Sequence, residues 1–366
     1  MSTLKKKSPH FRKNVSDDTH FKLLREQVNL KVDSLPASRL IVARAKAFVL
    51  PAIYFGVYIL ALFQTEYIWF CATYSFLGFM LIILFLNLIH EASHHNLFKA
   101  KRANEIYMLL FDILGANSYM WNKRHIWFHH NFPNVDGWDT DIEKSKFLKV
   151  HSGTKEKKGH RHQQLILLLY PLFITNWFFI RDFKDFFNPH TIVRKIGDVP
   201  LKEYFKLFFF KISLIGYLVV VPAFLTPFSA VQTFFGLLVF LVTAGIVGLA
   251  VLVPPHANVK NQFHVADDQM NLPHSWLLHQ LNTTNDVIES NWFTRHVMAN
   301  SNFHISHHLF PNISYVYAPE VTEVIREYNL EAGLPYKCYP MASTFKNHYK
   351  LVKENARLYN LLDEDM

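Results

Sequence analysis

Two cysteines, Cys71 and Cys338, are all that this chain of 366 residues offers. Two thiols cannot build a disulfide scaffold, a zinc ribbon or a cysteine-held iron–sulfur cluster. Cys71 lies in an apolar run, which argues against a bridge between them. Charge is scarce as well. Asp, Glu, Lys and Arg make up 18% of the chain, below the usual quarter, while half of it is apolar and 34 residues are Phe. Such a chain is suited to meet lipid as well as water. The net charge of +9 suits nucleic acid, an anionic membrane face or an acidic partner. No nucleic-acid recognition motif accompanies it, so the apolar runs favour the membrane. A secretory leader is also missing: the basic start, residues 1–13, is not followed closely by an apolar core.

Four runs approach the roughly 20 apolar residues that a helix needs to cross a bilayer. They are residues 47–63, 68–89, 208–225 and 234–253, and short links pair them as two hairpins. A fifth run, 165–180, is interrupted by Pro171, Asn176 and Trp177. It reads as an in-plane or half-inserted helix, because a crossing there would put the histidines on either side of it across the membrane from one another. Lys99, Lys101, Arg102, Lys123 and Arg124 follow the first hairpin. Lys155, Lys157, Lys158, Arg181, Lys184, Arg194 and Lys195 precede the second, and the hairpin tips carry no Lys or Arg. The positive-inside rule then puts both termini and the polar loops in the cytoplasm. Residues 18–32 form an amphipathic helix with Phe21, Leu24 and Val28 on one face; it either lies on the bilayer surface or packs as an ordinary helix. The expected fold is all-α: an integral membrane protein with two transmembrane hairpins (four spans), capped by a cytoplasmic helical domain that holds a histidine-rich di-metal site. Its divisions are a cytoplasmic N-terminal segment (1–45), the membrane domain (46–342) and a C-terminal tail (343–366).

Against these shortages stands one excess, 21 histidines. Three clusters stand out: His90-Glu91-Ala92-Ser93-His94-His95, His125-Ile126-Trp127-Phe128-His129-His130 and His304-Ile305-Ser306-His307-His308. Residues three and four apart share a helix face. His90 then aligns with His94, His125 with His129, and His304 with His307 and His308. Neutral imidazole is the commonest side-chain ligand for transition metals. A lone buried histidine is usually a satisfied core residue, but three clusters at ligand spacing, all on one side of the membrane, point to metal. His90, His94, His125, His129, His130, His304, His307 and His308 are too many for one four-coordinate ion and suit two. Ligand type alone does not choose between zinc, copper, iron and nickel.

The clusters and their flanks resemble the three histidine boxes of the membrane fatty acid desaturases. Box one runs into Asn96-Leu97-Phe98. Box two follows Trp121 and leads to Asn131-Phe132-Pro133-Asn134 and Asp136-Gly137-Trp138-Asp139-Thr140-Asp141-Ile142. Box three runs into Leu309-Phe310-Pro311, and residues 279–287 are similar to the segment ahead of it. The resemblance covers about residues 21–336. It implies two iron ions, dioxygen as co-substrate, and a further histidine from the end of the last span. His256, after Pro254 and Pro255, matches that place best, with His279 the weaker candidate. Box one ends in a histidine pair, which adds His95 as a potential ligand. Ser306 stands where a Glu often precedes the final pair, so another acid is expected to orient those rings: Asp136, Asp139, Asp141 or Asp286.

A saturated methylene offers no acid, electrophile or polar handle, so an activated metal–oxygen species must act on it while the protein positions the chain. The implied reaction removes two neighbouring hydrogens from a fatty acyl chain, carried as acyl-CoA or phospholipid, and leaves a cis alkene and water. The sequence shows no flavin fingerprint, heme-binding His-Pro-Gly-Gly or cysteine-rich ferredoxin segment, so an external ferredoxin, flavodoxin or cytochrome must deliver electrons to the basic face. Two rivals stand beside this expectation. One is a lipid hydroxylase with the same metals, told apart by its product. The other is a metal-binding sensor or transporter, which needs polar residues inside the spans; 208–225 offers only Lys211 and Ser213, and 234–253 only Thr243.

Overall fold

The computed structural model describes residues 8–141, 148–150, 158–253 and 255–361. Ile142, Lys155, Lys157 and Pro254, invoked above, lie outside the described residues, as do the first seven residues and the last five. Helix α1 (Val15–Asp33) opens on Asn14, whose side chain accepts hydrogen bonds from the N–H groups of Ser16 and Asp17. α2 (Ser38–Leu62) and α3 (Tyr67–Ser93) form the first hairpin. α3 widens into a π turn at Phe85–Ile89, just before His90. α4 is one turn, Ser118–Asn122, continued by a second π turn, Lys123–His129. α5 (His160–Phe187) is irregular: 3-10 through Leu172, α over Phe173–Asn176, π over Trp177–Arg181, then α again. α6 (Leu201–Leu225) and α7 (Ala230–Leu252) form the second hairpin, with Ser229 and Gln232 making a capping box at the start of α7. α8 (Trp276–Thr283), α9 (His304–Leu309), α10 (Ala318–Glu331) and α11 (Met341–Leu361) follow. Two two-residue strands, β1 (Asp286–Val287) and β2 (Cys338–Tyr339), pair in parallel.

Five helices, α2, α3, α5, α6 and α7, are long and apolar enough to cross a membrane. Large apolar side chains point outward along them, among them Phe48, Ile59, Phe209, Ile212 and Phe224, as expected where lipid replaces water. Inside, Tyr54, Phe70, Tyr74, Leu77, Leu214 and Phe240 belong to the largest core. α3 and α7 touch closely because Gly78 has no side chain: a Cβ there would strike the carbonyl of Phe240. α5 packs along α7 and also touches α3, α6 and α11. A Cβ on Gly245 would strike the Pro171 carbonyl, and Trp177 stands 6.2 Å from Phe85, ring to ring.

The apolar face of α1 is packed. Leu24 and Val28 are buried in a second core with Leu277, Ile305, Leu309 and Ile325, and Phe21 stacks on Phe310, next to box three. Of the two roles open to this helix, packing is the one the structure shows.

Candidate metal centre

Histidines from four places in the chain meet beside the helix bundle. The π turn of α4 decides how box two takes part. Its hydrogen bond spans five residues, from the His130 N–H to the His125 carbonyl at 3.0 Å. His125 and His130 therefore share a face where a regular helix would align His125 with His129.

The rings assemble as two groups of four. His90, His94, His125 and His307 each bring a ring nitrogen within 4.8 Å of one another, and so do His129, His256, His304 and His308. Each group draws on three parts of the chain. Boxes two and three are both divided between the groups, although the spacing had put each on one face. His130 belongs to neither group; its Nε2 lies 3.1 Å from His125 Nε2, and its ring packs among His94, His307 and His308. Asp141 forms a third cluster with His125 and His129, so it stands where the groups meet. His95 is exposed with φ +62° and joins no group. His279 is buried but apart from both, its Nε2 bonded to the Pro133 carbonyl at 2.9 Å. There it braces the loop after box two, and burial brings its pKa down to about 3.

Hydrogen bonds fix which nitrogen of each ring carries the proton. His125 Nδ1 faces Asp141 at 3.3 Å and His129 Nδ1 faces Asp139 at 3.0 Å. His256 Nδ1 faces the Thr283 carbonyl at 3.3 Å, His304 Nδ1 the Ser301 carbonyl at 3.3 Å, and His308 Nδ1 the Gln280 side-chain oxygen at 3.0 Å. All five acceptors require the proton on Nδ1, so each Nε2 carries a bare lone pair. Yet His256 Nε2 and His304 Nε2, both bare, are 2.8 Å apart, and His90 Nε2 lies 3.0 Å from the bare Nε2 of His125. Two lone pairs at that distance repel unless a cation lies against both. Ligand nitrogens about 2.1 Å from one ion, at right to tetrahedral angles, are about 3.0–3.4 Å apart. The buried Nε2 atoms of His94, His307 and His308 have no hydrogen-bond partner, which a metal bond would satisfy. Burial first, and neighbouring imidazoles second, hold the pKa of His94, His130, His256, His307 and His308 well below the usual value. The rings are neutral, as metal ligation requires. The residues present fit two transition-metal ions.

The outer partners differ in part from those expected. Asp139 and Asp141 orient box two, but box three is oriented by Gln280 and a backbone carbonyl rather than by an acid. Asp286 accepts the Ile305 N–H at 2.7 Å and the Tyr336 hydroxyl at 2.8 Å, and so pins the first turn of α9. Asp136 is half-buried, its N–H bonded to the His264 carbonyl. Asn134 stands in the sequence only as a flank of box two, with no role assigned, yet its Nδ2 donates to the Gln262 and Thr283 carbonyls, at 3.0 and 3.2 Å, and its N–H to Asp139. It ties box two to the His256 loop.

Beside both groups lies a cavity of about 120 Å³. Its walls are mostly apolar, with Phe85, Trp121, Phe173, Trp177 and Leu252 among them, and His90, His125, His129, His256 and His304 open onto it. Trp121 stacks on His125 at 4.4 Å. The arrangement can hold an apolar chain against two metal ions while keeping water away.

Comparison with known proteins agrees with this chemistry. Residues 65–340 match the family model described as fatty acid desaturase. The sn-1 linoleoyl-lipid 6-desaturase of Synechocystis sp. is 27% identical over 266 residues, 71% of this chain and 72% of that protein. The acyl-lipid (8-3)-desaturase of Physcomitrium patens is 27% identical over 318 residues, 82% of this chain and 64% of that one. The sn-1 linoleoyl-lipid 6-desaturase of Arthrospira platensis is 26% identical over 267 residues, 71% of this chain and 70% of that one.

Proposed function

The chain belongs to the fatty acid desaturase family, and we propose that its two histidine groups hold two iron ions that use dioxygen to place a cis double bond in an acyl chain. It is an oxidoreductase of lipid metabolism. The observation that carries the finer reading is the pair of four-imidazole groups opening onto one apolar cavity. The overall change is –CH2–CH2– + O2 + 2 e⁻ + 2 H⁺ → –CH=CH– + 2 H2O. Bound iron would supply the activation of dioxygen and the removal of two hydrogen atoms from adjacent methylenes. The chain's own residues do the rest. Asp139, Asp141, Gln280 and the Thr283 and Ser301 carbonyls hold five rings by Nδ1 and aim Nε2 inward. Phe85, Trp121, Phe173 and Trp177 hold the acyl chain and exclude water. His90, His94, His125, His129, His130, His256, His304, His307 and His308 are the ligands of this proposal; His130 stands outside the two groups of four, but its Nε2 lies 3.1 Å from that of His125.

The three relatives named above act on acyl-lipids, which favours a membrane lipid over acyl-CoA as substrate. Electrons come from a separate ferredoxin, flavodoxin or cytochrome; Lys99, Lys101 and Arg102, all exposed, offer such an acidic carrier a basic landing place. Expression in a host lacking desaturases, with fatty acid analysis, tests the function. A new alkene is expected. A hydroxylated acyl chain instead would move the chain to the hydroxylase reading.

The assembled site also constrains topology. Box two and His256 lie together, so the chain between them crosses the bilayer an even number of times. On this reading α5, α6 and α7 do not all cross, and α5, irregular along its length and interrupted by Pro171, is the one that stays in the interface. Four spans result, with both termini and the boxes cytoplasmic and the 46–342 portion as the membrane domain. Tags at Ser152 and Asp365, which flank the described residues, should be reachable from the same side, and a tag at Thr226 only from the other. Opposite-face labelling of Ser152 and Asp365 would overturn the in-plane placement of α5.

A further inference from the structure

We propose that Tyr170, hydrogen-bonded to His348 in the wall of the acyl cavity, positions the substrate, and that on substrate binding its hydroxyl turns that hydrogen bond from His348 to the carbonyl of the acyl ester. The inference rests on the desaturase reading of the cavity and adds to it the group that positions the chain.

The two ends of the cavity are built differently. At one end Phe85, Trp121 and Trp177 stand together, with ring centroids 5.1 Å apart for Phe85 and Trp121 and 5.3 Å for Trp121 and Trp177. Phe85 and Trp121 belong to the largest core. At the other end the walls are Leu148, Val150, Tyr170 and His348. These come from separate pieces: the 148–150 strip, the start of α5, and α11. Gln163 clamps the edge by donating to the Lys149 and Val352 carbonyls at 3.0 and 2.6 Å. Here the cavity wall includes a side-chain contact between two elements, α5 and α11. His348 Nδ1 donates to the Ala257 carbonyl at 2.5 Å, which leaves His348 Nε2 to accept the Tyr170 hydroxyl proton at 3.0 Å. Neither residue belongs to the histidine groups.

A phenol has one proton to give. The pair is satisfied when closed, and parting it strands that proton unless a new acceptor arrives. An esterified acyl chain carries its carbonyl as its polar acceptor, and an uncharged pair suits a carbonyl better than a phosphate or a carboxylate. Exchanging one neutral hydrogen bond for another costs little. Anchoring the carbonyl also fixes which carbons reach the metals. Trp177 packs on Trp121 and, through it, against His125; it lies seven residues beyond Tyr170, about 10 Å along a helix.

The test uses the purified full-length protein in detergent micelles, with methyl stearate and octadecane as probes and tryptophan quenching as readout. The wild type should prefer the ester by about 3- to 10-fold, the worth of one neutral hydrogen bond. Tyr170→Phe should lose that preference and keep its affinity for octadecane, which also shows that it is folded. His348→Ala, which leaves the Tyr170 proton free from the start, should bind the ester more tightly than the wild type. In cells, Tyr170→Phe should give alkenes at more than one position. An ester preference retained in Tyr170→Phe, or absent from the wild type, would overturn the proposal. A wild type that prefers the ester yet forms no alkene would instead sink the desaturase reading and leave the Tyr170 contact standing.

Discussion

Replacing any one of His94, His129, His307 or His308 by Ala abolishes turnover and lowers bound iron, while the protein stays in the membrane. Each variant removes one of four imidazoles from a group. Losing an outer partner of a ligand typically costs about 10–100-fold in affinity or activity, so losing the ligand itself should cost more. The rings line a site beside the bundle rather than the lipid-facing surface, so insertion persists. Fatty acid profiles and iron per chain, measured on the same preparations, check this. Two variants that retain activity would defeat the assignment, as would fully active protein holding only zinc. His256→Ala should behave like the four, because its Nε2 is 2.8 Å from that of His304. His274→Ala should lose neither iron nor activity, since that ring bonds to Gln262 away from both groups. His130→Ala should likewise lower both, because its Nε2 lies 3.1 Å from that of His125.

Much of this centre was legible in the sequence, because metal ligands must recur at helical spacing and the boxes do. Their distribution between two ions was not. Face assignments assume 3.6 residues per turn, and the π turns at Phe85–Ile89 and Lys123–His129 break that period without any mark in composition. The roles of Gln280 and Asn134, though both lie in the motifs, were illegible for another reason. A single amide carries no pattern, and its role comes from loops meeting across more than a hundred residues of chain. The amphipathic stripe of α1 was plain, but a stripe does not say whether lipid or protein covers it; Leu277, Ile325 and their neighbours do. α5 is long enough to span, and only the gathering of the histidines on one side argues that it does not.

Arg124→Met should destabilise the protein by about 3–5 kcal/mol, the usual cost of breaking a buried ion pair from one side. Arg124 precedes the first histidine of box two and is fully buried. Its Nη2 donates to Asp182 at 2.7 Å and its Nε to Asp185 at 2.8 Å, both on α5. Lys211, from α6, reaches the other oxygen of Asp182 at 2.8 Å and the Gly115 carbonyl at 2.5 Å. Arg181, also on α5, approaches the Asp185 carboxylate at 4.0 Å, so three cations meet two carboxylates. This network also accounts for the charge inside α6: Lys211 is an ion-pair partner, which weakens the transporter reading further. Removing the guanidinium leaves Asp182 to Lys211 and takes from Asp185 its close partner, with only Arg181 at 4.0 Å beside it. Arg124→Lys should recover only part of the loss, because a point charge cannot serve two carboxylates through a planar fork. Arg124→Met combined with Asp185→Asn should recover more, because Lys211 and Asp182 again balance. Since Arg124 adjoins His125, the single variant should also shed iron on mild heating before the protein unfolds. Thermal unfolding in detergent, with iron release followed in parallel, decides it: a double variant no more stable than Arg124→Met would mean that the loss is one of packing and not of charge.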